Sequence, residues 1–212
     1  MKSKGSFSIS IDARSLSIIV FSLFSGWELS FIFEGQVLYA LCKQYHLDPH
    51  SMIFGLIAAI FVGLLACGFF IKNMPAAKRW MLLAFALCIA GTGALFFAPV
   101  IIWKALLLSM AFLSGTCIAA WGFYFKSFTP AHERIKTAAQ VLIYSNILMI
   151  VINTIAINGS ANVGLLLSLL LLAGACYFAA RLPKEALEDA SIEEQSNITK
   201  GIVLLLAHND QQ

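Results

Sequence analysis

Charge is what this chain has least of. Only 12% of its 212 residues are Asp, Glu, Lys or Arg, against about 25% in a soluble domain. Hydrophobic residues make up 60% and the mean hydropathy is +0.85, which places the chain among membrane proteins. Proline is also scarce, and the five prolines, Pro49, Pro75, Pro99, Pro130 and Pro183, all fall between apolar runs. The five cysteines are far apart, odd in number and without a C-x-x-C, so neither a zinc site nor a disulfide framework is indicated. No basic run interleaved with aromatics exists, which argues against nucleic-acid binding. H-E-x-x-H, Walker A and strand-to-helix G-x-G-x-x-G patterns are missing, and the four histidines fall in loops or the tail. The sequence therefore reads as neither an enzyme nor the holder of a cofactor or metal.

What the chain does have is long apolar runs. About 20 apolar residues in a helix cover the hydrocarbon core of a bilayer. Six runs reach roughly that length, over 15–41, 51–71, 80–97, 101–125, 138–157 and 163–180. The expected organisation is a polar, basic tail over 1–14, a six-helix membrane domain over 15–181 and an acidic cytoplasmic linker over 182–197. A short apolar stretch over 198–212 looks like an incomplete seventh helix. The first run follows Lys2, Lys4 and Arg14 but is too long for a signal peptide and lacks a small-residue cleavage site, so it reads as a retained helix. Of the 14 Lys and Arg, all but Lys43 and Lys104 fall on one side of this layout. Positively charged loops stay inside, so both termini are expected in the cytoplasm, with the chain in the cytoplasmic membrane.

Glu28 is the sharpest candidate for function. It lies near the middle of the first run, where a carboxylate costs roughly 2.5–3.5 kcal/mol even on lenient insertion scales. It reads either as a carboxyl facing a cavity, to couple a proton or bind a cation, or as a neutral carboxyl hydrogen-bonded to a neighbouring helix. Glu34 lies about 9 Å farther out and about 120° around an unbroken helix. The two carboxyls therefore do not form a pair, and Glu34 reads as vestibule or headgroup-level. In the fifth run Asn146 and Asn153 are seven residues apart and share a face. They read either as ligands for a polar solute or as interhelical hydrogen-bond glue. In the second run Gly55, Ala59, Gly63 and Cys67 form a small-residue stripe suited to close helix packing. Trp103 and Trp121 bracket the fourth run as interfacial aromatics.

Six spans with both ends inside, followed by a linker and the opening of a seventh, resemble the N-terminal half of a major facilitator superfamily transporter. The resemblance covers about residues 15 to 200 and rests on helix and loop lengths and on basic loops after the second and fourth helices. It implies two six-helix halves about an axis along the membrane normal, each half nesting a 3+3 inverted repeat. The superfamily's G-x-x-x-D-R-x-G-R-R motif, laid from Gly68, reads GFFIKNMPAAKR here. Lys72 stands at the acidic position, Asn73 at the first Arg and Pro75 at the second Gly, while Lys78 and Arg79 survive. The resemblance implies a small-solute transporter with Glu28, Asn146, Asn153 and Glu34 toward a central path. The remaining wall would come from a second six-helix half, absent through truncation or supplied by a homodimer. Its alternative is a non-transporting sensor, similar to the membrane domains of some helix-turn-helix regulators. The lipid bilayer is a partner in either case.

Overall fold

A computed structural model of the protein describes residues 12–33 and 35–183. Most of the N-terminal tail, Glu34, the acidic linker from residue 184 and the expected incomplete helix lie outside the described residues. Among the described residues every regular element is helical: α1 (Ala13–Trp27), α2 (Gln36–Gln44), α3 (His50–Phe70), α4 (Met74–Ala94), α5 (Trp103–Phe128), α6 (Arg134–Asn158) and α7 (Ala161–Ala180). They make six spans long and apolar enough to cross a membrane, the first of them Ala13–Gln44. This is the architecture of an all-α, multi-pass membrane protein.

The spans begin and end where local chemistry dictates. Asn73 accepts a 2.9 Å bond from the Ala76 N–H and so caps α4, with Pro75 in its first turn. A missing N–H costs nothing at that position. The expected basic loop before Trp80 is therefore mostly helix, and Asn73 and Pro75 serve to start it. Asp48 accepts from the His50 N–H at 3.1 Å ahead of α3. Pro99 and Pro130 each precede a short 3-10 turn, over Val100–Ile102 and Ala131–Glu133.

The first span is the central one, buried over 72% of its most apolar window, while the span holding α6 is buried over only 22%. α1 packs on α6 and α7, α5 packs on α3 and α4, and α4 closes against α7. Lipid tails are as apolar as leucine, so association depends on close packing and interhelical bonds. Both occur here. Gly63 on α3 faces the Phe112 carbonyl, and Gly115 on α5 faces the Ile60 carbonyl so closely that a side chain at either would collide with backbone. The small-residue stripe thus works as expected at Gly63. Phe21 stacks on Trp121 at 3.8 Å, and Phe24 lies against Phe85 at 5.2 Å.

One end of the bundle is stitched by polar groups. Arg14 pairs with Glu133 and donates to Thr137 Oγ1 at 2.8 Å, joining the starts of α1 and α6. Lys78, on α4, donates to the carbonyls of Ala180 and Leu182 where α7 ends. Trp121 donates to Ser17 at 2.9 Å. The first and last described residues therefore sit at the same end. Trp103 is 2% exposed and the half-buried Trp121 is stacked on Phe21, so both pack against neighbouring helices.

Candidate functional site

The expected single helix over 15–41 is broken. After α1 the chain continues as a π-helix, Glu28–Ile32, in which the Phe33 N–H reaches five residues back to the Glu28 carbonyl at 2.8 Å. Phe33 then leaves helical geometry, and α2 starts after Gly35. Gly35 packs directly on the Ser30 backbone, where a Cβ has no room, so glycine is required for the two halves of the span to lie this close. π-Helical turns within α-helices occur frequently at functional sites, and Glu28 is the first residue of this one.

Breaking a helix inside a membrane frees backbone groups that must find partners. The Ser30 hydroxyl is placed to supply one, 3.2 Å from the Trp27 carbonyl. It also lies 3.1 Å from the Ser168 hydroxyl on α7, and one of the two donates to the other in place of its own helix carbonyl, Trp27 for Ser30 or Gly164 for Ser168. The break is thereby tied to α7 on one side.

Glu28 itself ties it to α5 on the other. The carboxyl is 7% exposed and its Oε1 accepts a 2.6 Å hydrogen bond from Ser114. Ser114 lies 11 residues into the 26-residue α5, about 17 Å from its start at 1.5 Å per residue, so the bond sits near mid-depth. Among the described residues Glu28 has no basic partner. Trp27, beside it, is fully buried and its indole Nε1–H has no acceptor among the described residues. The site therefore offers one acidic group held by one hydroxyl, with an unused donor adjacent in the chain. Such a group can exchange a proton or hold a cation.

The other expected residues lie elsewhere. Asn146 is exposed, and its amide donates to the Leu142 carbonyl of its own helix at 2.7 Å. Asn153 is half-buried, with an enclosed Oδ1 that has no partner among the described residues. The face of α6 that packs inward carries Thr137, Val141, Ser145, Ile152 and Ala156, so Asn146 is not brought to Glu28. Glu34 lies outside the described residues. Sequence reasoning did not single out Ser114, Ser30 or Ser168. The signal available was a small hydroxyl residue near the middle of each span. Against protein-family models, curated proteins and solved structures, the chain finds no match.

Proposed function

We propose that the chain is one six-helix half of a secondary transporter of the major facilitator type, moving a small solute across the cytoplasmic membrane. The observation that carries this reading is the mid-depth Glu28 carboxyl at a π-helical break, hydrogen-bonded across to Ser114 on another span. An intramembrane carboxyl marks a substrate or ion path by default, and broken helices are where transporters bind. The packing supports a 3+3 repeat. Exchanging the first span with the fourth, the second with the fifth and the third with the sixth maps the α1–α6 contact onto α5–α3 and the α1–α7 contact onto α5–α4. The α4–α7 contact maps onto itself, whereas α6–α7 has no α3–α4 counterpart of like extent. Arg14, Lys72, Lys78, Arg79, Lys126, Arg134, Lys136 and Arg181 belong to the end where α1 starts and α7 ends, and Lys43 and Lys104 to the other. That asymmetry supports cytoplasmic termini. The exposed face of α6, with Asn146, is suited to meet a second half, from the same polypeptide or a second copy.

The test is flux in membrane vesicles against a panel of labelled sugars, amino acids and organic cations, with Glu28→Gln beside the native chain. Gradient-driven flux that Glu28→Gln abolishes supports the reading, and flux unchanged by it removes Glu28 from the mechanism. The sensor alternative is favoured by one observation: Asn73 and Pro75 hold motif positions only to start α4. It predicts ligand-dependent changes in a partner without flux, and saturable flux by the purified protein rejects it.

A further inference from the structure

A cavity of about 90 Å³ opens between α3, α4 and α5, lined by Ala66, Cys67, Ile71, Trp80, Phe112 and Thr116. The hydroxyl of Thr116 is committed to the Leu113 carbonyl at 2.7 Å, so the walls hold no polar group directed at a solute. Its lining residues run inward from the helix ends. Ile71 immediately follows α3, and Trp80 is six residues into α4, about 9 Å from its start. Phe112 and Thr116 belong to the middle of α5.

The rim differs from the walls. Ile71 is followed by Lys72 and Trp80 is preceded by Arg79, both exposed and neither in an ion pair with a described residue. Lys78, between them in the chain, is turned inward to the Ala180 and Leu182 carbonyls and is occupied there. Trp80, 37% exposed, is the residue type enriched at headgroup level. An apolar slot whose lining residues Ile71 and Trp80 are each next in the chain to an exposed cation has the chemistry of one ligand, an anionic amphiphile. Basic pockets between transmembrane helices bind the headgroups of acidic lipids in this manner.

We propose that this crevice seats an acyl chain of an anionic phospholipid, whose phosphate is met by Lys72 and Arg79. The volume suits a short stretch of one chain, being several times the roughly 10–15 Å³ that one water-sized group needs on the same measure. The site shares no residue with the Glu28–Ser114 pair and lies between the second, third and fourth spans.

The experiment uses the full chain in vesicles of fixed phosphatidylglycerol and phosphatidylcholine content, with bromine placed on the acyl chains of one lipid or the other. Bromine quenches nearby tryptophan, and the Trp80 signal is the difference between the native chain and Trp80→Phe. The expected result is stronger quenching of Trp80 when the phosphatidylglycerol carries the bromine, beyond its share of the lipid. Lys72→Gln and Arg79→Gln should each lower that preference about fivefold, the equivalent of about 1 kcal/mol per cation near an anionic surface. Ala66→Phe fills the slot and leaves both charges, so it should lower quenching from either lipid. Equal quenching by the two brominated lipids overturns the proposal, as does a preference that survives both Gln variants. Unchanged quenching in Ala66→Phe overturns the seating of the chain in the crevice. Trp27, Trp103 and Trp121 report in the same sample whether each variant is folded.

Discussion

The close approach of α3 and α5 makes a prediction that can be worked from contacts. Gly115→Ala places a methyl against the Ile60 carbonyl and the Leu64 backbone nitrogen, neither of which can swing aside. Gly122→Ala, two turns farther along the same helix, meets nothing within 4 Å. Both substitutions gain about 0.5–1 kcal/mol from helix propensity, and that gain cancels between them. What remains is the overpacking, about 1–3 kcal/mol, by which Gly115→Ala should be the less stable. Reversible unfolding in mixed micelles, as the fraction of denaturing detergent is raised and ellipticity is followed, measures the difference. The substitution also reaches the functional site, because Ser114 is the neighbouring residue and its hydroxyl holds Glu28 at 2.6 Å. If α5 is pushed from α3, that bond lengthens, and Gly115→Ala combined with Ser114→Ala should cost less than the sum of the two. Equal stability of Gly115→Ala and Gly122→Ala refutes the reciprocal glycine contact and the packing built on it.

Ser114→Ala alone should destabilise by about 1–3 kcal/mol, because it leaves a buried carboxyl without its donor; Ser114→Thr, which retains the hydroxyl, should recover most of the loss in the same titration. Lys78→Met should leave the Ala180 and Leu182 carbonyls unsatisfied, and hydrogen exchange should rise at the end of α7 while α3 and α5 stay protected. Arg14→Ala breaks a partly exposed pair with Glu133, whose side chains are 22% and 31% accessible, so its stability cost should be about 1 kcal/mol or less and shrink as salt is added. A loss several times larger, or one indifferent to salt, contradicts that accounting.

Hydropathy located the six spans, yet it placed the starts of the third and fifth helices too late. The third was expected from Trp80 and begins at Met74; the fifth was expected from 138 and begins at Arg134. Apolar runs mark the thickness of the hydrocarbon layer, whereas a helix ends where its backbone groups find caps, and the first turns can stand beyond that layer carrying Lys78, Arg79 or Lys136. The capping signals were in the sequence. Asn73 three residues before Ala76, with Pro75 between them, is a helix start on local chemistry, and the neighbouring charges drew the boundary away from it. The break in the first span is a different case. No proline marks it, and Gly35 by itself is unremarkable in a membrane helix, where glycine is common. Its requirement comes from the Ser30 backbone folding back on it, a contact that exists only once the π-helix has formed.

Glu28 was legible while its partner was not, and side-chain chemistry accounts for the difference. A hydroxyl or amide in a membrane helix has a local way to satisfy its donor. Ser109 donates to the Ala105 carbonyl at 2.8 Å, Thr154 to Ile150 at 2.7 Å and Asn146 to Leu142 at 2.7 Å, each within its own helix. Polar residues of this kind can therefore face in any direction, and their position in a sequence says little about a site. That is why Asn146, at mid-span, turned out to be exposed. An ionised carboxylate only accepts, and the N–H groups of the helix that carries it are already bonded to the preceding turn. It must find a donor from another element, which pins its rotation about the helix and commits a residue on the facing span. Ser114 meets that requirement where Ser109, one and a half turns earlier, is left to its own backbone. The Glu28–Ser114 bond thus joins the first span to α5 at the residue where the π-helical turn begins.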